Sequence, residues 1–199
     1  MKKTKVYFTK EITSEALVKL YKKLNIELPK PTAVKIHSGE EGNQNYLKPE
    51  FMKDIIEEVD GVVVECNTAY EGARNTTAKH QKLMQEHGWN KYYQVDIMDS
   101  KDDITLEIPN GKIIKKDYVG LHLNNYKSML VLSHFKGHPM GGFGGALKQL
   151  SIGVASSSDK EKNHLIERIE SRHGNHIINA AANLKFGTKD YELINIDNI

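Results

Sequence analysis

The chain has 199 residues, 39% hydrophobic and 27% charged, which suits one buried core with at most an appendage. Its 28 basic and 26 acidic side chains leave a net charge of +2 and no basic stripe, so nothing argues for a nucleic-acid or membrane partner. A single cysteine, Cys66, excludes an internal disulfide and, with no signal-like or membrane-length apolar run, points to a cytoplasmic protein.

Lys5 to Thr9 alternates as a first strand. Thr13 or Ser14 caps a helix with Leu17, Leu20, Tyr21 and Leu24 at helical spacing, closed by Pro29 and Pro31. Thr32 to His37 predicts a second strand, and Ser38 to Asn43 a loop. Pro49 opens a helix whose buried face is Phe51, Met52, Ile55, Ile56 and Val59. Asp60-Gly61 turns the chain into Val62 to Cys66, a central strand. After a polar loop from Asn67 to Arg74, a helix runs from Thr76 to His87 and stops at Gly88. Tyr92 to Ile97 reads as a fourth strand. Ile104 to Ile108 and Lys112 to Ile114 flank Pro109-Asn110-Gly111 as a hairpin. Residues 119 to 127 predict a short helix, and Met129 to Leu132 the last core strand. Beyond a polar break at Ser156 to Asp159, Lys160 to Arg172 and His176 to Leu184 read as helices and Tyr191 to Ile196 as a terminal strand.

The expected fold is α/β: a mostly parallel sheet with helices on both faces, a β-hairpin and a C-terminal helix-strand tail. Residues 1–158 would form the core domain, and 159–199 a tail packed on it.

Ligands in such folds sit outside the carboxyl ends of the strands. Three polar loops follow predicted strand ends, and their residue types are chemical: Glu40, Asn43 and Asn45; Asn67, Tyr70 and Arg74; Lys136 and His138. The stretch from Met129 to Gly153, MLVLSHFKGHPMGGFGGALKQLSIG, carries the densest set. It reads as strand, polar turn, glycines (Gly141, Gly142, Gly144, Gly145) and helix, a corner suited to an anion. A Gly-rich turn with solvated charges is the plain alternative. His134 and His138 are candidates for proton transfer, because imidazole titrates near neutrality. Lys148, early in the helix where a cation is disfavoured by the dipole, reads as an anion or cofactor contact or as a solvent-exposed side chain. Arg74 offers a planar fork for a carboxylate or phosphate, or a surface ion pair. His37, Glu40 and His138 form a candidate divalent-metal set; a satisfied histidine and a solvated acid are the plain readings. Asn67 and Tyr70 would orient a ligand or close turns. Cys66, in an apolar run, reads as core.

The blocks AVKIHSGEEGNQNYLKPE, NTAYEGARNTTAKH, SHFKGHPMGGFGGALKQLSIG and HIINAAANLKFGTKDYELINID, in that order, resemble domain-of-unknown-function family 362, often described as iron–sulfur cluster-binding. The resemblance covers most of residues 32–158 and about 173–197. Family members usually carry a longer segment before the tail, often with ferredoxin-like cysteines; residues 155–172 stand in its place here. A four-iron cluster takes about four thiolates, so an iron–sulfur cluster is not expected in this chain. His134 to Gly153 is also similar to the nickel-pincer lactate racemases. That likeness implies a metal-ligand or acid/base role for His134 or His138 and a cofactor-holding role for Lys148.

Three functions follow as expectations. One is an isomerase- or racemase-like enzyme moving a proton on a small anionic substrate. Another is a non-catalytic metal- or cofactor-binding module working with a separate ferredoxin-type partner. The last is a folded relative without chemistry. An exposed sheet edge or the thinly apolar segment 160–172 would serve a homo-oligomer contact.

Overall fold

The computed structural model describes residues 4–107, 109, 116–138, 142–157 and 191–195. In chain order its elements are β1 (Thr4–Phe8), α1 (Ser14–Lys23), β2 (Thr32–Lys35), α2 (Pro49–Glu58), β3 (Gly61–Glu65), α3 (Thr77–Glu86), α4 (Trp89–Tyr92) and β4 (Val95–Ile97). They continue with β5 (Asp103–Glu107), β6 (Lys116–Gly120), a 3-10 turn (Leu121–Asn125), β7 (Ser128–Val131), β8 (Lys136–His138), β9 (Gly142–Gly144), α5 (Ala146–Ser151) and β10 (Tyr191–Asn195).

The centre is a four-stranded parallel sheet ordered β4-β3-β2-β7. Every residue of β2 is buried, as a strand covered on both faces requires. On one face Val34, Ile36 and Val63 pack with Met52, Ile55 and Ile56 of α2, Met84 of α3 and Trp89 of α4, while Leu17 and Tyr21 of α1 close the margin. On the other face Ala33, Val64 and Cys66 pack with Met98, Val119 and Val154, joined by Ile104 of β5 and Leu123 of the 3-10 turn. Each fully buried valine or isoleucine contributes about 1.5–3 kcal/mol of transfer free energy. The fold is thus mixed α/β: a parallel sheet flanked by helices, a separate antiparallel pair and a C-terminal strand.

Local chemistry sets the element ends. The Thr13 hydroxyl accepts the Ala16 N–H at 3.1 Å and starts α1. Pro49 occupies the first turn of α2, where its missing N–H costs nothing. Asp96 on edge strand β4 anchors the 3-10 turn: His122 Nδ1 and the Tyr126 hydroxyl both donate to its carboxylate at 2.8 Å.

Four expectations change. The first strand stands outside the main sheet and pairs in parallel with β10, tying the end of the chain to its beginning. The fourth strand shrinks to three residues, because Trp89 is fully buried and Trp89–Tyr92 winds into a helix after Gly88 at φ 84°. The short helix expected over 119–127 is a 3-10 turn that starts only after β6. The glycine loop is a ribbon: β8 pairs antiparallel with β9, Lys136 opposite Gly144 and His138 opposite Gly142. Chain reversal brings those backbone donors and acceptors face to face, and pairing satisfies them. Lys112 to Ile114 and the helices expected at 160–172 and 176–184 lie outside the described residues; β5 pairs with β6 as the antiparallel hairpin.

Candidate functional site

Two charges sit at the carboxyl ends of the central strands, inside the protein. Lys35 and Glu65 are 1% and 2% exposed and meet at 2.6 Å. The Lys35 ammonium also donates to the Ile36 carbonyl at 2.6 Å. Glu65 Oε1 accepts the Ser38 N–H at 2.9 Å and Arg74 Nη1 at 3.4 Å. Burial pushes the Glu65 carboxyl up, but Lys35 and Arg74 outweigh it and hold the group well below the carboxylate range.

Arg74 bridges Glu65 to a second acid. Its Nη2 binds Glu40 Oε1, and its Nε donates to Glu40 Oε2 at 3.2 Å. The Tyr70 hydroxyl donates to Glu40 at 2.7 Å and accepts Arg74 Nη2 at 3.0 Å. Burial and then the Glu40 carboxylate push the Tyr70 phenol up to about 12. Glu40 itself is held low: Arg74 and Tyr70 overcome its desolvation.

Two imidazoles join this cluster, and both are held below their ordinary value. His80 is fully buried on α3. Asn67 donates its amide to Thr77 Oγ1 at 3.0 Å, which leaves its carbonyl to accept from His80 Nδ1 at 3.3 Å. His80 Nε2 then accepts the Ser38 hydroxyl at 3.1 Å; this tautomer is inferred from the network. Burial, then Arg74 and Lys35, lower the His80 pKa to about 4 against the opposing pull of Glu65. The Ser38–His80–Asn67 order resembles a hydrolytic triad, but Ser38 is fully buried, so the chain of bonds is scaffolding. His37 accepts the Gly39 N–H on Nδ1 at 3.0 Å and holds Nε2 3.9 Å from Glu40. Burial and then Arg74 lower it to about 4 as well. Asp99 completes the frame by accepting the Asn67 N–H at 2.9 Å and the Ser157 N–H at 2.8 Å.

The glycine segment delivers Lys148 to this edge. Buried Gln149 pins α5 across the strand ends: its Oε1 accepts the Ser133 hydroxyl at 2.6 Å, and its Nε2 donates to the Lys35 and Leu132 carbonyls at 3.3 and 3.4 Å. Lys148, one residue earlier, is half-buried. Burial lowers its pKa, and Lys136, Arg74 and Lys35 lower it further against Glu40. Beside the first turn of α5 lies an open apolar cavity of about 460 Å³, lined among others by Leu17, Phe51, Leu132, Phe135, Gly145 and Ala146.

Of the residues predicted from sequence, Glu40, Arg74, Tyr70, Asn67 and His37 meet around one edge, with Lys148 and Lys136 close enough to share their field. His134 is half-buried on the loop after β7. The side chain of His138 and all of Gly141 lie outside the described residues, while Gly142 and Gly144 belong to β9 and Gly145 caps α5. Arg74 is neither a surface ion pair nor an open fork; two carboxylates already hold it. Among the described residues no three His, Cys, Asp or Glu side chains are grouped to hold a metal. Sequence reasoning missed Lys35, Glu65, Ser38, Asp99 and Gln149. The available signal was a lysine inside TAVKIH and a glutamate inside GVVVEC: charges in runs otherwise fit for a buried strand.

The architecture and its edge define an α/β protein with a buried ionic cluster at the carboxyl ends of parallel strands. The chain matches the family described as Domain of unknown function (DUF362) over residues 32–199, from β2 onward, and belongs to it. No curated protein and no solved structure matches the chain. The iron–sulfur cluster implied by the family resemblance does not fit the donor set, since the one cysteine is buried with its thiol on the Val154 carbonyl at 3.4 Å, and burial pushes that thiol well up. Among the described residues no helix is long and apolar enough to cross a membrane.

Proposed function

We propose that the strand-carboxyl edge binds a small anionic ligand, met by Lys148 and Lys136. One observation carries the reading. Lys148 and Lys136 stand beside a cluster whose inner cations are already matched, Lys35 and Arg74 to Glu65 and Glu40, so the edge carries two further lysine charges over a paired interior. A positive potential at a partly desolvated edge is the condition under which an anion is bound strongly. Arg74 and Lys35 shape this potential from inside while their own charges stay matched to Glu40 and Glu65.

Proton transfer on a carbon acid is a second reading, favoured by the same lysine. An ammonium held below its ordinary value lies closer to the range useful for general acid–base work. A divalent metal on His37, Glu40 and His138 would have to compete with Arg74 and Tyr70 for the Glu40 carboxylate.

The test is a thermal-shift and calorimetric panel of short carboxylates and inorganic phosphate at low ionic strength, on wild type and Lys148→Gln. Saturable binding in wild type, weakened at least tenfold in the variant, is expected. Equal binding by both proteins refutes the assignment. Solvent-deuterium exchange into the bound anion separates proton transfer from binding alone.

A further inference from the structure

We propose that the ligand is an amphipathic anion, a carboxylate or phosphate ester on an apolar body, with the body seated in the cavity beside α5; this rests on the anion-binding reading above. The argument is adjacency. Gly145, the N-cap, and Ala146, the first residue of α5, form part of the cavity wall; Gln149, three residues after Ala146, shares that face of the helix, and Lys148 directly precedes it. Ser133 also lines the cavity, and its hydroxyl donates to Gln149, the neighbour of Lys148. Gln149 in turn binds the carbonyl of Lys35, at the start of the ionic cluster. The polar edge and the apolar cavity therefore share one wall, the first turn of α5.

The shape and composition fit a tail. The cavity of about 460 Å³ falls within the ordinary range for small-molecule sites, roughly 300–1,000 Å³. Its walls are apolar side chains from α1, α2 and β7, and Phe135 on its rim is 82% exposed to water. A purely polar anion at Lys148 would leave this surface wet. A ligand with an apolar body removes it from water while Lys148 and Lys136 hold the charged end.

The experiment titrates the full chain with acetate, butanoate, hexanoate and octanoate, and with 1-hexanol as the uncharged control. Affinity should rise about fourfold per methylene until the cavity is filled, and 1-hexanol should bind at least tenfold more weakly than hexanoate. Ala146→Trp, at an exposed position on the cavity wall, should abolish the gain with chain length. Leu17→Trp, filling the cavity from α1, should do the same if Ala146→Trp does not fold. A flat series with acetate still bound overturns this proposal and leaves the anion reading standing. Loss of all binding, acetate included, overturns both. Equal affinity for hexanol and hexanoate, or a chain-length gain that survives both cavity-filling variants, also overturns the proposal.

Discussion

Glu65→Gln tests whether the ionic cluster is a matched set. Glu65 is 2% exposed and takes hydrogen bonds from Lys35, the Ser38 N–H and Arg74. Glutamine keeps an acceptor for the Ser38 N–H but removes the charge. Arg74 cannot shed its proton to compensate. Lys35 is 1% exposed, too deep for water to solvate its ammonium. Removing one partner of a buried ion pair costs about 3–5 kcal/mol. For a chain of this size that is a melting-temperature drop of roughly 6–20 °C. Urea denaturation at pH 7 reads the same quantity directly. The pH dependence adds a check on sign. The Glu65 carboxyl is depressed in the folded state, so its contribution is present above the unfolded carboxylate value and fades as acid protonates it. The stability difference between wild type and Glu65→Gln should therefore shrink as pH falls below about 4. Adding Lys35→Met should recover part of the loss, with a coupling on the order of 1–3 kcal/mol. A melting temperature within 2 °C of wild type, or strictly additive effects in the double variant, would refute the reasoning.

His80→Gln addresses acid sensitivity. Its folded value of about 4 lies below the ordinary 6.5, so the unfolded chain takes the proton first and stability falls as pH drops through that window. Urea stability measured between pH 6 and 4.5 should lose slope in the variant, by up to about 1.4 kcal/mol per pH unit; parallel curves would place the titration elsewhere. Gly120→Ala addresses packing at the end of β6. A Cβ there would come within 2.4 Å of the Met98 carbonyl carbon and 2.6 Å of the Asp99 nitrogen, both backbone. A cost of about 1–3 kcal/mol in thermal unfolding is expected, and an unchanged midpoint would show that the β4–β5 connection yields freely.

The parallel sheet was legible because its strands announce themselves. TAVK, GVVVE and SMLV are short apolar runs bounded by turn residues, and all three lie side by side. The Thr13 cap and Pro49 marked helix starts by local chemistry alone. The glycine segment was misread because glycines signal a turn and a ladder equally well; pairing between Lys136–His138 and Gly142–Gly144 is a two-segment property that no single window carries. Trp89 was hidden in a polar stretch, HGWNKYY, where only tertiary burial decides the matter. At the site, Glu40 and Arg74 were found through their loops, since polar residues after strand ends have a fixed place in this architecture. Lys35 and Glu65 were overlooked because a charge in a strand reads as surface unless its partner is known, and the partner is 30 residues away.

Glu40 separates two chemistries that the sequence left open. It is the carboxylate that opposes the cations acting on Lys148, and it is 38% exposed, the outermost acid of the cluster. If the edge binds anions, neutralising Glu40 removes repulsion toward the ligand. Glu40→Gln should then tighten acetate or phosphate by a few fold, because a partly screened charge nearby is worth about 1 kcal/mol or less. Arg74 keeps Glu65 as a counter-ion, so the fold should survive. If instead Glu40 ligates a divalent cation, the same substitution should abolish metal uptake and any anion binding that depends on it. Calorimetry of Glu40→Gln with inorganic phosphate, run with and without added divalent metal, gives opposite signs for the two cases. Weaker anion binding in the variant would move the site's chemistry from the lysines to the carboxylate.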